Sequence, residues 1–496
     1  MKTQLILLFA AFFCTNIYAQ WVQKGTDIGG EATGDRSGRS VALSSDGSTV
    51  AIGAYWNDGN GANSGHVRVY QWNGSAWAQK GLDIDGEAAD DQSGYSLAIS
   101  SDGNTLALGA PQNDGNGSNA GHVRVYNWNG TAWIQKGLDI DGETAFDKSG
   151  WSVSIAADGN AVAIGAIDNN VAAGHVRVYE WSGTAWTQKG TDIDGEMATD
   201  WSGYAVSLSS DANTVAIGAP SNNASGTSQI SIGHVRVYNW NGTSWIQKGT
   251  DIDGESAGDD SGTALSLSAD GNTLAIGAPK NAGTGTNSGH VRVYNWNGTS
   301  WAQKGLDIDG EATGDRCGNS LSISADGNTL AIGAYANTGN GTNAGHVRIF
   351  EWNGTAWIQK GTDIDGEASG DLSGYAVSLS ADGNIVAIGA YANDGVGVDV
   401  GHVRIYEFSN PNQLNQNLED GVVIYPNPST GNFYVDMGAS QAAVSIIITD
   451  LYGKLIQSKQ FEDCANLNIN IDEAAGIYLL SIITEDKKVV FRLIKN

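Results

Sequence analysis

The sequence predicts an all-β protein: a seven-bladed β-propeller with four-stranded blades, followed by a small C-terminal β-sandwich. Three observations carry this reading. The tetrapeptide GHVR occurs seven times, with histidines at 66, 122, 175, 234, 290, 346 and 402, spaced by 56, 53, 59, 56, 56 and 56 residues. A fixed period of that length marks an array of supersecondary units. Each unit also holds four short segments with strand character, WAQKGLDI, SGYSLAIS, NTLALGAP and GHVRVYNW across residues 77–128, punctuated by DGN and NG turn signals. Finally, 68 glycines against 6 prolines supply many tight turns rather than a proline-rich disordered chain. Four strands per unit suit a propeller blade better than a solenoid coil.

From the N-terminus, the opening MKTQLILLFAAFFCTNIYAQ has Lys2 before an apolar run from Leu5 to Phe13, and small Ala19 before Gln20. Residues 1–19 therefore read as a secretory signal peptide, too short for a membrane span. Cys14 lies within it, and bulky Phe13 beside it argues against lipidation. No later segment approaches the roughly 20 apolar residues of a transmembrane helix. The propeller is expected over residues 20–408. Its first W-x-Q-K segment begins at Trp21, whereas the last repeat stops at GHVRIYEF without one. The segment at Trp21 is thus placed to supply the outer strand of the final blade and remove an exposed sheet edge.

The segments of the SGYSV type, AIGAP at 216–220 and 275–279, and GHVRVY resemble the FG-GAP repeats of integrin-type propellers. That family's calcium-binding repeats carry a D-x-D-x-D-G loop between the first two strands of a blade. Here the same connection is a bare SADGN or SSDGN hairpin, a departure that puts inherited calcium sites in doubt. Residues 409–421 form a polar linker that begins SNPNQLNQNLED (409–420). Residues 422–496 then contain YPNP, a GK turn, GIYLL and a basic tail, in that order. This segment resembles the type A C-terminal sorting domain of the Bacteroidetes type IX secretion system. The resemblance implies engagement of the type IX export machinery through residues 422–496, passage across the outer membrane, and release or attachment at the cell surface.

Composition narrows the partners. A net charge of −28 argues against nucleic acid and anionic membranes, both of which require basic patches. Beyond the signal peptide only Cys317 and Cys464 remain, so the fold rests on packing rather than disulfides. Cys317 stands where sibling repeats have Ser, which reads as a tolerated substitution.

In an antiparallel meander, successive connections alternate between the two ends of the blade. The tight hairpins therefore share one face, and the long connections LDIDGEAADDQ and APQNDGNGSNAG share the other. Binding residues concentrate on long loops held by rigid scaffolds, so the long-loop face is the functional candidate. The acidic motif lies there: Asp83, Asp85, Glu87 and Asp91, then Asp139, Asp141, Glu143 and Asp147, and so on through seven copies, with Gly29 replacing the second Asp in the first. Together these positions hold half of the 54 acidic residues. Clustered carboxylates suit calcium, but the D-x-D-G-E spacing is not that of an EF-hand loop. A solvated acidic rim whose carboxylates take up turn donors is the first expectation, and calcium held by these residues is the alternative. The histidines lie on strands away from the axis and cannot converge on one ion; they are expected to bond between blades, with the neighbouring arginines meeting loop carboxylates.

Thirteen of the 16 tryptophans belong to the repeated W-[NS]-G-[ST]-[AS]-W hairpins or are Trp21. The others, Trp56, Trp151 and Trp201, map to the long-loop face. Tyr95 and Tyr375 occupy the position of Trp151 in other blades, Arg39, Thr263 and Asn319 fill it elsewhere, and Tyr204 lies close to Trp201 in sequence. Exposed aromatics anchor sugars and peptides, which makes Trp56, Tyr95, Trp151, Trp201, Tyr204 and Tyr375 the candidate ligand-binding residues. No nucleophile–base pair, phosphate cradle or Cys/His metal set stands out. The leading expectation is a secreted or surface-held, non-catalytic binding or adhesion module for an extracellular glycan or protein. The alternatives are a polysaccharide hydrolase or lyase, and a structural surface-coat protein.

Overall fold

The computed structural model describes residues 20–223 and 231–409 and, in the C-terminal segment, residues 422–425, 427, 429–450, 453–484 and 488–495. The expected signal peptide and all of the expected linker beyond Ser409 lie outside the described residues. The chain forms two units, Gln20–Phe408 and the segment from Ser409 onward.

In Gln20–Phe408 each repeat folds into one antiparallel sheet, giving seven blades. In the first blade the inner strand is Ser40–Leu43, the second Thr49–Ala54, the third His66–Trp72 and the outer Trp77–Gln79. The second strand is buried along its whole length, TVAIGA. Neighbouring blades cover both of its faces, so it needs no polar alternation. On the third strand the valines face one neighbouring blade, while His66, Arg68, Tyr70 and Trp72 face the other. The inner strands contact one another in order, and the last, Ala376–Leu379, packs on the first. The array is therefore a closed β-propeller.

Two devices close the ring. At the hairpin face, the backbone N–H of Ser45 donates to the Ser101 carbonyl at 3.0 Å, Ser101 to Ala157, Ala157 to Ser210, Ser210 to Ala269, Ala269 to Ala325, Ala325 to Ala381, and Ala381 back to Ser45 at 2.8 Å. Seven donors and seven acceptors satisfy one another around the axis. At the circumference, Gln20–Gln23 pairs with His402–Ser409 and completes the last blade. Trp21 Nε1 donates to the Lys360 carbonyl at 2.7 Å, as Trp77 does to Lys24 and Trp133 to Lys80 within the array.

The outer strand departs from expectation. WAQKGLDI is not one strand but two pieces on the same partner. Trp77–Gln79 pairs with Tyr70–Trp72, and Ile84–Asp85 pairs with His66–Val67 in a register shifted by two residues. The interruption turns Lys80 toward the next blade, where Nζ donates to the Gly103 carbonyl and to Asn104 Oδ1, both at 2.8 Å. Gly81 makes the turn with φ +87°, and a Cβ there would lie 2.8 Å from the Trp128 ring. Re-aiming one side chain is the usual work of such a bulge.

The C-terminal unit is a five-stranded antiparallel sheet: Val423–Tyr425, Asn432–Asp450, Leu455–Asn470, Gly476–Ile483 and Lys488–Lys495. Phe433, Val435, Ile446, Ile448, Leu480 and Leu493 lie in its single apolar core. Asn427 of the YPNP segment clamps the last strand, donating to the Arg492 carbonyl at 2.7 Å and accepting from the Ile494 N–H at 2.8 Å.

Because Trp21 is buried and bonded at the seam, Trp21→Ala is expected to destabilise the propeller by about 3–5 kcal/mol. Urea unfolding followed by tryptophan fluorescence checks this. A loss below about 1 kcal/mol would mean that the seam does not depend on this residue.

Candidate functional site

The long-loop connections position a cup on the propeller axis. The residue after each S-G pair, or after C-G in the sixth blade, stands at the start of the inner strand and faces the axis: Arg39, Tyr95, Trp151, Tyr204, Thr263, Asn319 and Tyr375. These seven lie at the mouth of a cavity of about 260 Å³, whose walls are the inner strands of all seven blades. Five of the six predicted ligand-binding residues are thereby linked in one aromatic arc. Tyr95 and Trp151 are 4.8 Å apart between centroids, Trp151 and Tyr204 5.7 Å, and Trp201 stacks on Tyr204 at 6.3 Å. Trp56 joins through Tyr55, at 5.2 Å, and Tyr55 meets Tyr95 edge-on at 5.7 Å. Tyr375 lies on the other side of Arg39, against Tyr335 and Tyr391. Thr263 and Asn319 leave the remaining side polar.

Arg39 sits between the two aromatic groups, its guanidinium 4.4 Å from the Tyr95 ring and 4.7 Å from the Tyr375 ring. Among the described residues its guanidinium makes no hydrogen bond and no ion pair. The Arg36 guanidinium, by contrast, has partners: it stacks on Trp56 at 3.7 Å, donates to Tyr55 Oη at 3.1 Å and approaches Asp399 Oδ2 at 3.5 Å. Burial raises the phenol pKa values of Tyr95 and Tyr204, and pushes Tyr391 up to about 12 with help from Tyr375 and Tyr55. The ring hydroxyls are accordingly neutral at neutral pH.

Sequence reasoning missed Arg36, Tyr55, Tyr335 and Tyr391. Their signal was present as two further variable columns. One reads Tyr55, Pro111, Ile167, Pro220, Pro279, Tyr335, Tyr391; the other reads Arg36, Gln92, Lys148, Trp201, Asp260, Arg316, Leu372. Every residue of the second column has a left-handed backbone, with φ between 54° and 61°. Glycine takes that conformation freely, whereas a side chain there costs about 1 kcal/mol. None of the seven is glycine.

The acidic motif is divided among several partners. The first acid binds within its own blade: Gln79 Nε2 donates to Asp83 Oδ1 at 2.6 Å. The second contributes only its carbonyl, with Arg124 Nη2 donating to Asp85 O at 2.7 Å. In the first copy Arg68 uses the Gly29 carbonyl in the same way, which explains why Gly is accepted there. The third acid reaches the next blade: Glu87 Oε1 lies 3.6 Å from Arg124 Nη1. The fourth is buried and ties its turn, Asp91 Oδ2 accepting from the Ala88 N–H and from Asn113 Nδ2. Asp139, Asp141, Glu143 and Asp147 repeat the pattern through Gln135, Arg177 and the Thr144 N–H. The histidines face these carboxylates, with His122 Nδ1 3.9 Å from Glu87 Oε2 and 3.7 Å from Asp139 Oδ2. Burial, with Arg124 adding to it, lowers the His122 pKa to about 4, and the other six are lowered from the same two causes. Cys317 replaces a buried Ser of sibling blades and keeps its contact, with Arg348 Nη2 3.6 Å from Sγ; burial pushes the thiol up to about 11.

Comparison with known proteins agrees with this architecture. Residues 29–70 match the FG-GAP repeat family and residues 423–496 match the secretion system C-terminal sorting domain. The chain therefore carries an FG-GAP-type repeat and a type IX sorting tail. No curated protein matches the chain. Similar solved structures include a proposed 6-phosphogluconolactonase from Bacteroides uniformis (12% identity, TM-score 0.45, covering 68% of this chain and 88% of that one). A periplasmic gluconolactonase from Pseudomonas aeruginosa (15%, 0.44, 66% and 85%) and Raptor from Chaetomium thermophilum (12%, 0.47, 79% and 29%) are also similar. The chain spans less than a third of the Raptor chain.

Two outcomes follow. A histidine whose folded pKa lies below its unfolded value of about 6.5 binds fewer protons when folded, so stability rises with pH across the window between the two values. The melting temperature is expected to be flat above about pH 6.5 and to fall between about pH 6.5 and 4, the fall becoming shallower in His175→Gln. Leu372→Gly, at a left-handed position, is expected to stabilise the propeller by about 0.5–1 kcal/mol in urea unfolding.

Proposed function

We propose that this chain is an exported propeller acting at or beyond the cell surface as a non-catalytic binding module for an extracellular glycan or protein, with the axial mouth as its ligand site. One observation carries the reading: the blades are nearly interchangeable, yet their off-pattern aromatic residues converge on the mouth. Trp56, Tyr95, Trp151, Trp201, Tyr204 and Tyr375 supply flat apolar faces, and Thr263 and Asn319 supply hydrogen-bonding groups beside them. Such a mixture suits a sugar ring or an aromatic side chain. The left-handed column supports the same reading, since backbone strain kept at seven side chains signals something those side chains do.

Arg39 sharpens the ligand chemistry. An unpaired guanidinium among aromatic faces, in a chain of net charge −28, favours a ligand that brings its own anion, such as a carboxylate-bearing glycan. Among the described residues, those lining the cavity include no Asp, Glu or His. A glycosidase requires a carboxylate pair flanking the scissile bond, so the cavity supports binding over hydrolysis.

Glycan-array and cell-adhesion assays on wild type, Arg39→Ala and the Trp151→Ala/Trp201→Ala double variant test the proposal. Wild type is expected to retain a restricted set of acidic ligands, and both variants to bind at least about tenfold more weakly. Equal binding by all three proteins, or none by wild type, would sink the axial-site reading.

A further inference from the structure

The seven GHVR histidines are more than interblade spacers. His66 is 1% exposed, and its Nδ1 makes no hydrogen bond among the described residues. That atom points into a gap between two carboxylates, 3.8 Å from Glu31 Oε2 and 3.8 Å from Asp83 Oδ2. The other oxygen of Glu31 is taken, lying 3.5 Å from Arg68 Nη1, which leaves Oε2 to face the gap. The same constellation recurs in every blade, with Nδ1-to-oxygen distances between 3.7 and 3.9 Å. Each set combines the third acid of one motif, a strand histidine and the first acid of the following motif. In the closing blade the first acid is Asp27, from the N-terminal segment, beside His402 and Glu367.

These distances are too long for hydrogen bonds and fit an ion placed between the three atoms. Nitrogen and oxygen ligands about 2.0–2.2 Å from a tetrahedral zinc stand about 3.4 Å apart. The glutamates are 41–46% exposed, so moving one by a few tenths of an ångström disturbs no packed side chain. The imidazole is neutral at neutral pH, the form that ligates. Two carboxylates balance a divalent charge. An imidazole at the centre favours a first-row transition ion over calcium, which takes six to eight oxygens.

We propose that each blade junction carries a divalent transition-metal site, with zinc the best fit, built from the GHVR histidine and the two carboxylates that flank it. Seven such ions would tie each acidic connecting loop to the blade that follows it. The seventh would also tie the N-terminal segment to the last blade.

The test is calorimetric titration of the untagged full chain with zinc chloride, with bound metal counted by native mass spectrometry. Wild type is expected to bind seven ions, and His175→Gln and Glu143→Gln six each. Glu143 is partly exposed, so its variant folds even if the buried histidine change does not. Asp141→Asn, at an exposed acid outside the constellation, is expected to retain seven. Stoichiometry unchanged by both site variants, an equal loss in Asp141→Asn, or uptake of fewer than one ion by wild type would each overturn the proposal. Calcium chloride at the same concentration is expected to displace no zinc, and full displacement would count against an imidazole-centred site.

Discussion

Each outer-strand tryptophan donates its indole N–H to the carbonyl of the lysine one blade earlier, and the propeller depends on that bond being available seven times. The same lysine sends its ammonium into that same neighbouring blade, six times donating to its hairpin. Each junction is thus bonded from both directions, and no blade is complete without its neighbours. A single bond of this kind contributes about 0.5–1.5 kcal/mol. Repeated around a closed ring, it selects seven blades of one geometry and gives each insertion a place only in the loops.

That rigidity is what allows the mouth to vary. The hairpin face is saturated by its own backbone ring, and the circumference by tryptophan, lysine and the two-piece outer strand. At the long-loop end, side chains facing the axis are left free to differ between blades. There the ring of Arg39, Tyr95, Trp151, Tyr204, Thr263, Asn319 and Tyr375 breaks sevenfold symmetry, which the proposed binding of an asymmetric ligand requires.

The repeat made most of the architecture legible before any coordinates. Period, strand count and the unpaired Trp21 segment led to seven blades and their seam, because each is a property of spacing. The division of the acids was not legible, since Asp83, Asp85, Glu87 and Asp91 look equivalent along an extended segment. Only the register of Ile84–Asp85 on His66–Val67, after a bulge that spacing does not announce, sends Asp83 back to its own blade and Glu87 on to the next. The mouth was half legible. Trp151 and its column could be seen to vary, but Arg36 and Tyr55 join the aromatic cluster beside it through loop geometry. The left-handed backbone of Arg36 has no marker in the sequence when glycine is absent.

The seam at Trp21 has a consequence in time as well as in space. Its hydrogen bond to Lys360 joins residues 339 positions apart, and the strand that pairs with Gln20–Gln23 is the last of the propeller to be made. At about 5–20 residues per second, a nascent chain spends roughly 20–80 s with its first strand unpartnered. The first strand made is therefore the last to be placed, and the ring closes only as a late, long-range event. Folding of this domain should be slow for its size, with an unpaired N-terminal edge exposed until the end.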